Sequence, residues 1–198
     1  DEMAAIAQRG LFQTQEAMHE TGKKSNSLII VIPKEISYQE CRIALTPLSV
    51  ALLVNNGHKV VLEAGAGDGA NFSDKDYSEQ GAQISFNKKD VWAADIIVKI
   101  APPTLEEISM MHKGQTLISA LQIGTLKAEV LKGLLQKKIN ALCFENIRDE
   151  GNVLTVVRAM SEIAGSSVML IAAEYLTNAN QGRGIILGGV TGVPPTSV

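Results

Sequence analysis

The chain has 198 residues, 45% of them hydrophobic, and a net charge of −3. That length carries one ordinary core, or a domain plus part of a second. An acidic balance without any basic run excludes a nucleic-acid module.

The two cysteines, Cys41 and Cys143, give no disulfide framework and fit a reducing, cytoplasmic setting. The longest unbroken apolar run, 168–173, falls far short of a bilayer, so no membrane span is expected. No secretory pattern opens the chain. It begins at Asp1, which reads as a processed chain or an excised piece.

Residues 1–27 read as an amphipathic helix with Met3, Ile6, Ala7, Leu11 and Met18 near one face, then a polar linker, GKKSNS. Two roles stay open for it: a surface-docked extension or a contact to a partner subunit. From residue 28 the pattern alternates. The expected strands are 28–32, 59–62, 95–100, 115–119 and 139–144. The expected helices are 46–56, 74–80 capped by Ser73, 104–111 capped by Thr104, and 125–137 with Leu126, Val130, Leu131, Leu134 and Leu135 on one face. Buried runs alternating with amphipathic helices predict an α/β fold, a three-layer parallel sheet of Rossmann or flavodoxin type.

A helix of about 24 residues, roughly 36 Å long, is expected over 155–178, a length suited to bridging two bodies. A strand at 185–187 and the turn GGVTGVPP come after it. Five glycines between Gly182 and Gly192 mark a hinge or a close backbone approach.

The densest charge lies in the loop after the first strand, PKEISYQECRIALTP, residues 33–47. It carries Lys34, Glu35, Glu40 and Arg42 at the carboxyl end of a strand, where open α/β sheets bind ligands. An Arg held there offers two parallel donors to a carboxylate; a solvated charged loop is the plain alternative. Lys99 ends a buried run and precedes Pro102-Pro103, so its ammonium is expected to reach water or a ligand, or else to snorkel at the strand end. The segment GAGDGA, 65–70, matches G-x-G-x-x-A, but 71–74 reads as loop and cap rather than helix. A dinucleotide fingerprint is therefore rejected there. His58 and His112 read as solvated turn residues, and Cys41 as an inert loop thiol. No metal-ligand spacing is present.

K-E followed by E-x-R-x-A-x-T-P (Lys34, Glu35, Glu40, Arg42, Ala44, Thr46, Pro47) resembles the alanine dehydrogenase and nicotinamide nucleotide transhydrogenase alpha-subunit family. EAGAGDGANFSD, ADIIVKIAPP, MSEIAGS and GGVTGVPP look like its further signatures, in order from about residue 28 to the end. The resemblance implies an N-terminal domain at 28–154, an interdomain helix at 155–180 and the start of a nucleotide-binding domain at 181–198. It implies NAD, with NADP as the alternative, bound mainly by a downstream domain. It further implies a small 2-oxo or amino acid substrate, a homo-oligomer, and a fragment inactive alone.

By the same resemblance Arg42 and Lys99 hold the substrate, Lys99 also acting catalytically on its carbonyl oxygen, and Ser161 contacts the nucleotide. Glu145, placed just after a strand, is read as a partner of Arg42 or Lys99. Gln122 stands where the alanine dehydrogenases carry their acid/base histidine. An amide does not titrate near neutrality, whereas hydride transfer between two nicotinamides needs no acid/base pair. Alanine dehydrogenase is the first reading. Transhydrogenase-like or saccharopine dehydrogenase-like hydride transfer, and a non-catalytic scaffold, are the alternatives. An apolar strip along 168–176 is expected to be exposed and to drive self-association.

Overall fold

The computed structural model describes residues 27–192 and 194; the expected N-terminal helix lies outside them. Six strands form one parallel sheet: β1 (Ile29–Ile32), β2 (Lys59–Glu63), β3 (Gln83–Ser85), β4 (Ile96–Val98), β5 (Thr116–Ser119) and β6 (Asn140–Cys143). Their order is β3-β2-β1-β4-β5-β6. The chain works outward from β1 to one edge, returns to β4, and works outward to the other. The switch between β1 and β4 opens a crevice at the carboxyl ends of those strands.

The helices begin where their caps dictate. Helix α1 (Pro47–Asn55) starts with proline at its first position and Thr46 accepting from the Ser49 amide. Helix α2 (Asp74–Glu79) opens on a capping box between Ser73 and Asp76. A four-residue helix α3 (Lys88–Val91) comes after β3. Helix α4 (Leu105–Met110) opens on a second capping box, Thr104 with Glu107. Helix α5 (Ala128–Gln136) starts later than its apolar pattern, because the Thr125 and Leu126 amides close a turn on the Gln122 carbonyl.

Strand alternation sends side chains to two faces. On one, Val31, Val61, Ile97 and Leu117 pack with Trp92, Ile108, Met111, Val130 and Leu134 from α3 to α5 and their flanks. On the other, Ile32, Val60 and Leu62 pack with Val50 of α1 and Tyr77 of α2. Tyr77 is wholly buried, and its hydroxyl donates to the Leu45 carbonyl at 2.8 Å. The register places Ile96, Val98, Ile118 and Leu142 on that second face too. There Leu142 is 54% exposed, so half of this face is left open.

Two short elements, β3 and α3, escape the sequence pattern, since three or four residues carry no readable period. The expected strand at 185–187 does not form. The amides of Gly182, Gly184 and Ile185 turn back onto the carbonyls of Thr177 and Leu176, which removes them from any ladder. The long helix, α6 (Thr155–Leu176), forms as expected and buries none of its residues. Its apolar strip is open: Val168, Met169, Leu170, Ile171 and Tyr175 are between 48% and 74% exposed. By length and composition alone, with a mean hydropathy of 1.4, this helix would also pass for a membrane span. A search for unbroken apolar runs misses that, because small and polar residues interrupt the apolar ones.

The loop after β2 depends on Gly67. A Cβ there would lie 2.5 Å from the Phe72 carbonyl oxygen and 2.8 Å from the Tyr77 ring. Gly67→Ala is expected to cost about 1–3 kcal/mol, read as a lowered midpoint in urea unfolding; an unchanged midpoint would refute this packing.

Candidate substrate cleft

The loop 33–46 is tied to the sheet at several points. The Lys34 amide donates to Glu63 at 2.9 Å. The Glu35 carboxylate accepts from the amides of Ile100 and Ala101, just past β4. Tyr77 holds Leu45 as above. At Gly69 a Cβ would sit 3.0 Å from the Cys41 backbone, so the glycine lets the two loops touch.

Behind the loop lies a buried ion cluster. The Lys99 ammonium is fully buried and donates to both oxygens of Glu107, at 2.9 and 3.0 Å. Its distance to Glu35 is 3.8 Å. Both carboxylate side chains are 6% exposed. Glu107 also accepts from the Thr104 amide at 2.7 Å. Lys99 therefore reaches neither water nor a cleft. The capping glutamate of α4 meets it inside, where an unpaired ammonium would be costly. Burial pushes the Glu35 carboxyl above the usual glutamate range, and Lys99 with the two amides offsets part of that push.

Arg42 faces outward, with its side chain 60% exposed. Its Nε donates to Glu40 Oε1 at 2.7 Å and its Nη2 to Oε2 at 2.6 Å. Those bonds hold the Glu40 carboxyl below its usual range and raise the guanidinium. Arg42 lines a cleft of about 420 Å³ together with Ile43, Val98, Ile118, Phe144 and Met160, and among the described residues it is the sole charged one in that lining. Ser161, exposed, comes next to Met160 on α6.

Gln122 lies elsewhere. It lines two other clefts, of about 610 and 480 Å³, on the α4–α5 side and beside Glu145. Its backbone is left-handed, φ 46°, and its amide donates to Glu145 Oε1 at 2.8 Å. Glu145 thus pairs with the backbone of Gln122, and neither Arg42 nor Lys99 is among its partners. Its Oε2 is buried with no partner among the described residues. The structure brings Arg42 and the start of α6 to one cleft, Gln122 to its neighbours, and Lys99 to none.

The histidines are fixed rather than merely solvated. The half-buried His58 accepts the Leu28 amide through Nδ1 at 3.4 Å, and His112 Nε2 lies 3.0 Å from the Ala94 carbonyl. Leu28, Ala94 and both of these histidines precede strands, at the amino-terminal end of the sheet, opposite the cleft. Loop 65–70 forms a short 3-10 turn at Asp68–Ala70 and ends in Asn71 at φ 60°, so no helix opens on its second glycine.

A doubly wound parallel domain with an arginine-marked cleft at its topological switch belongs to the ligand-binding α/β class. The chain belongs to the alanine dehydrogenase/PNT family: residues 31–164 match the family described as "Alanine dehydrogenase/PNT, N-terminal domain". It is 39% identical over 166 residues to the alanine dehydrogenase of Bacillus subtilis (strain 168), covering 84% of this chain and 43% of that one. It is 37% identical over 172 residues to that of Methanococcus maripaludis, covering 86% and 46%. A solved L-alanine dehydrogenase superposes with a TM-score of 0.79 at 38% identity, over 85% of this chain and 46% of that one. A transhydrogenase from Sinorhizobium meliloti gives 0.55 at 31% identity, over 59% and 35%. The chain spans less than half the length of these relatives.

Sequence reasoning missed Glu35 and Glu107 as partners of Lys99. The T-x-x-E spacing at Thr104 was the available signal, because a capping glutamate at the third position of a helix faces back toward the strand that feeds it. Lys99→Met is expected to cost about 3–5 kcal/mol by leaving two buried carboxylates unpaired; a loss below about 1 kcal/mol in urea unfolding would refute the cluster's role. Because its folded pKa is raised, Glu35 contributes stability that is fully present below pH 4.5 and lost as pH rises through its raised value. Thermal scans across that window should show this loss in the wild type and not in Glu35→Gln.

Proposed function

We propose that this chain forms the substrate-side part of an alanine dehydrogenase-like oxidoreductase. The complete protein would interconvert L-alanine with pyruvate and ammonia, using NAD, with NADP as the alternative. One observation carries the reading: among the described residues Arg42 is the sole charged one lining an otherwise apolar cleft at the topological switch. A small acid with an apolar tail matches that lining, its carboxylate on the guanidinium fork and its methyl against Val98 and Ile118.

Lys99 supports this site from behind, because its ammonium is committed to Glu107. In this reading Ser161, at the near end of α6, meets the nicotinamide nucleotide, which a downstream domain mainly holds. The proposed boundaries are 28–154 for this domain, 155–180 for the connecting helix and 181–198 for the start of the next. The protein would work as a cytoplasmic homo-oligomer, with the open face of α6 covered in the assembly.

A specific observation favours the transhydrogenase-like alternative. Gln122 cannot exchange a proton near neutrality, and hydride transfer between nicotinamides needs no such group. In the dehydrogenase reading the proton moves through ordered water or a residue of the downstream part.

NADH oxidation by the full-length protein with pyruvate and ammonium tests the proposal. Saturable turnover is expected, with the pyruvate KM raised about 100-fold in Arg42→Ala, the scale of a lost bidentate charge-assisted contact. A folded protein that binds NADH and shows no turnover would sink the dehydrogenase reading and leave the alternatives.

A further inference from the structure

The fork that would hold a substrate carboxylate is already occupied by one. Glu40 takes Nε and Nη2 of Arg42 side by side, at 2.7 and 2.6 Å, the two-point geometry that an incoming carboxylate would make. Glu40 Oε1 also accepts the amide of Arg42 itself, at 3.1 Å. This second bond holds the carboxylate to the backbone of the residue it neutralises. The two partners differ in exposure: Glu40 is only 13% exposed and Arg42 is 60% exposed. The anion is therefore seated against the loop, while the cation remains within reach of solvent and cleft.

We propose that Glu40 is an internal carboxylate that competes with the ligand for Arg42 and thereby restricts the cleft to carboxylates. This rests on the reading of the Arg42 cleft as a carboxylate site. When the cleft is empty, the pair spares an apolar surface an unpaired cation. A neutral molecule of the same shape offers Arg42 nothing in exchange for Glu40, so the pair disfavours it by about three- to fivefold. A carboxylate ligand replaces one charge-assisted contact with another and gains burial of its tail against the apolar lining. Release of Glu40 costs little, because an ion pair with so exposed a partner contributes only about 0–1 kcal/mol.

The rest of the loop makes such an exchange local. Glu35 is held to the end of β4, Cys41 touches the neighbouring loop and Leu45 is held by Tyr77 of α2, so the guanidinium can change partners while the backbone stays in place.

The test is pyruvate binding by titration calorimetry to the full-chain wild type, Glu40→Gln, Glu40→Ala, Arg42→Ala and the Glu40→Gln/Arg42→Ala double variant. Pyruvamide serves as the neutral probe, and circular dichroism checks folding. Both Glu40 variants should bind pyruvate about three- to fivefold tighter, the scale of a released exposed pair. Arg42→Ala should weaken pyruvate binding about 100-fold, enough to abolish the saturable heat, and Glu40→Gln should have no effect in its presence. Glu40→Ala should admit pyruvamide more readily than the wild type does. Unchanged or weakened pyruvate binding in both Glu40 variants, with Arg42→Ala still abolishing it, overturns the competition and makes Glu40 a positioning residue or a bystander. Wild-type binding that survives Arg42→Ala, or no pyruvate binding by any of the proteins, overturns the reading of the cleft itself.

Discussion

A lysine buried between two glutamates sets the geometry of this domain's ligand side. Lys99 follows β4, Glu107 caps the next helix, α4, and Glu35 belongs to the loop after β1, so one ammonium ties a strand end and its following helix to a loop far away in sequence. Each group alone would be expensive to bury. Together they satisfy one another and the amides of Ile100, Ala101 and Thr104. Such clusters seldom add net stability over a well-packed apolar core. This one supplies position: the loop carrying Arg42 is drawn onto the end of β4.

The sheet order makes that position useful. Because the chain reverses direction of travel between β1 and β4, the loops after these two strands diverge and leave a crevice. Arg42 projects from one wall, and Phe144 and the start of α6 belong to the others. The two capping boxes, at Ser73 and Thr104, start their helices close behind the loops that shape this end of the sheet. Rigid backbone and a solvent-facing guanidinium coexist here because the anchors act on Glu35, Cys41 and Leu45 rather than on Arg42 itself.

The opposite property appears on the other half of the second sheet face. Val98, Ile118 and Leu142 point the same way as Ile32 and Leu62, yet no helix among the described residues covers them as α1 and α2 cover the others. Helix α6 is apolar and likewise buries nothing. At roughly 25 cal/mol per Å² of apolar area, leaving both open forgoes several kcal/mol.

The sequence by itself determined the alternation of strands and helices, the caps at Ser73 and Thr104, the parallel sheet and the identity of the charged loop. All of these rest on periodicity and on contacts a few residues apart, which a linear pattern records directly. It also rejected 65–70 as a dinucleotide fingerprint, because the backbone path after the glycines is settled by residues close by in the chain. Only the tertiary structure decided the partners. Lys99 reads as a free cation until Glu107 and Glu35 are brought to it. Gln122 and Arg42, both given site positions by the resemblance, line different clefts in the fold. The strand expected at 185–187 does not form: the amides of Gly184 and Ile185, at its start, find the Leu176 carbonyl at the end of α6. Which donor meets which acceptor across tens of residues is set by sheet order and helix packing, and no period in the sequence encodes it.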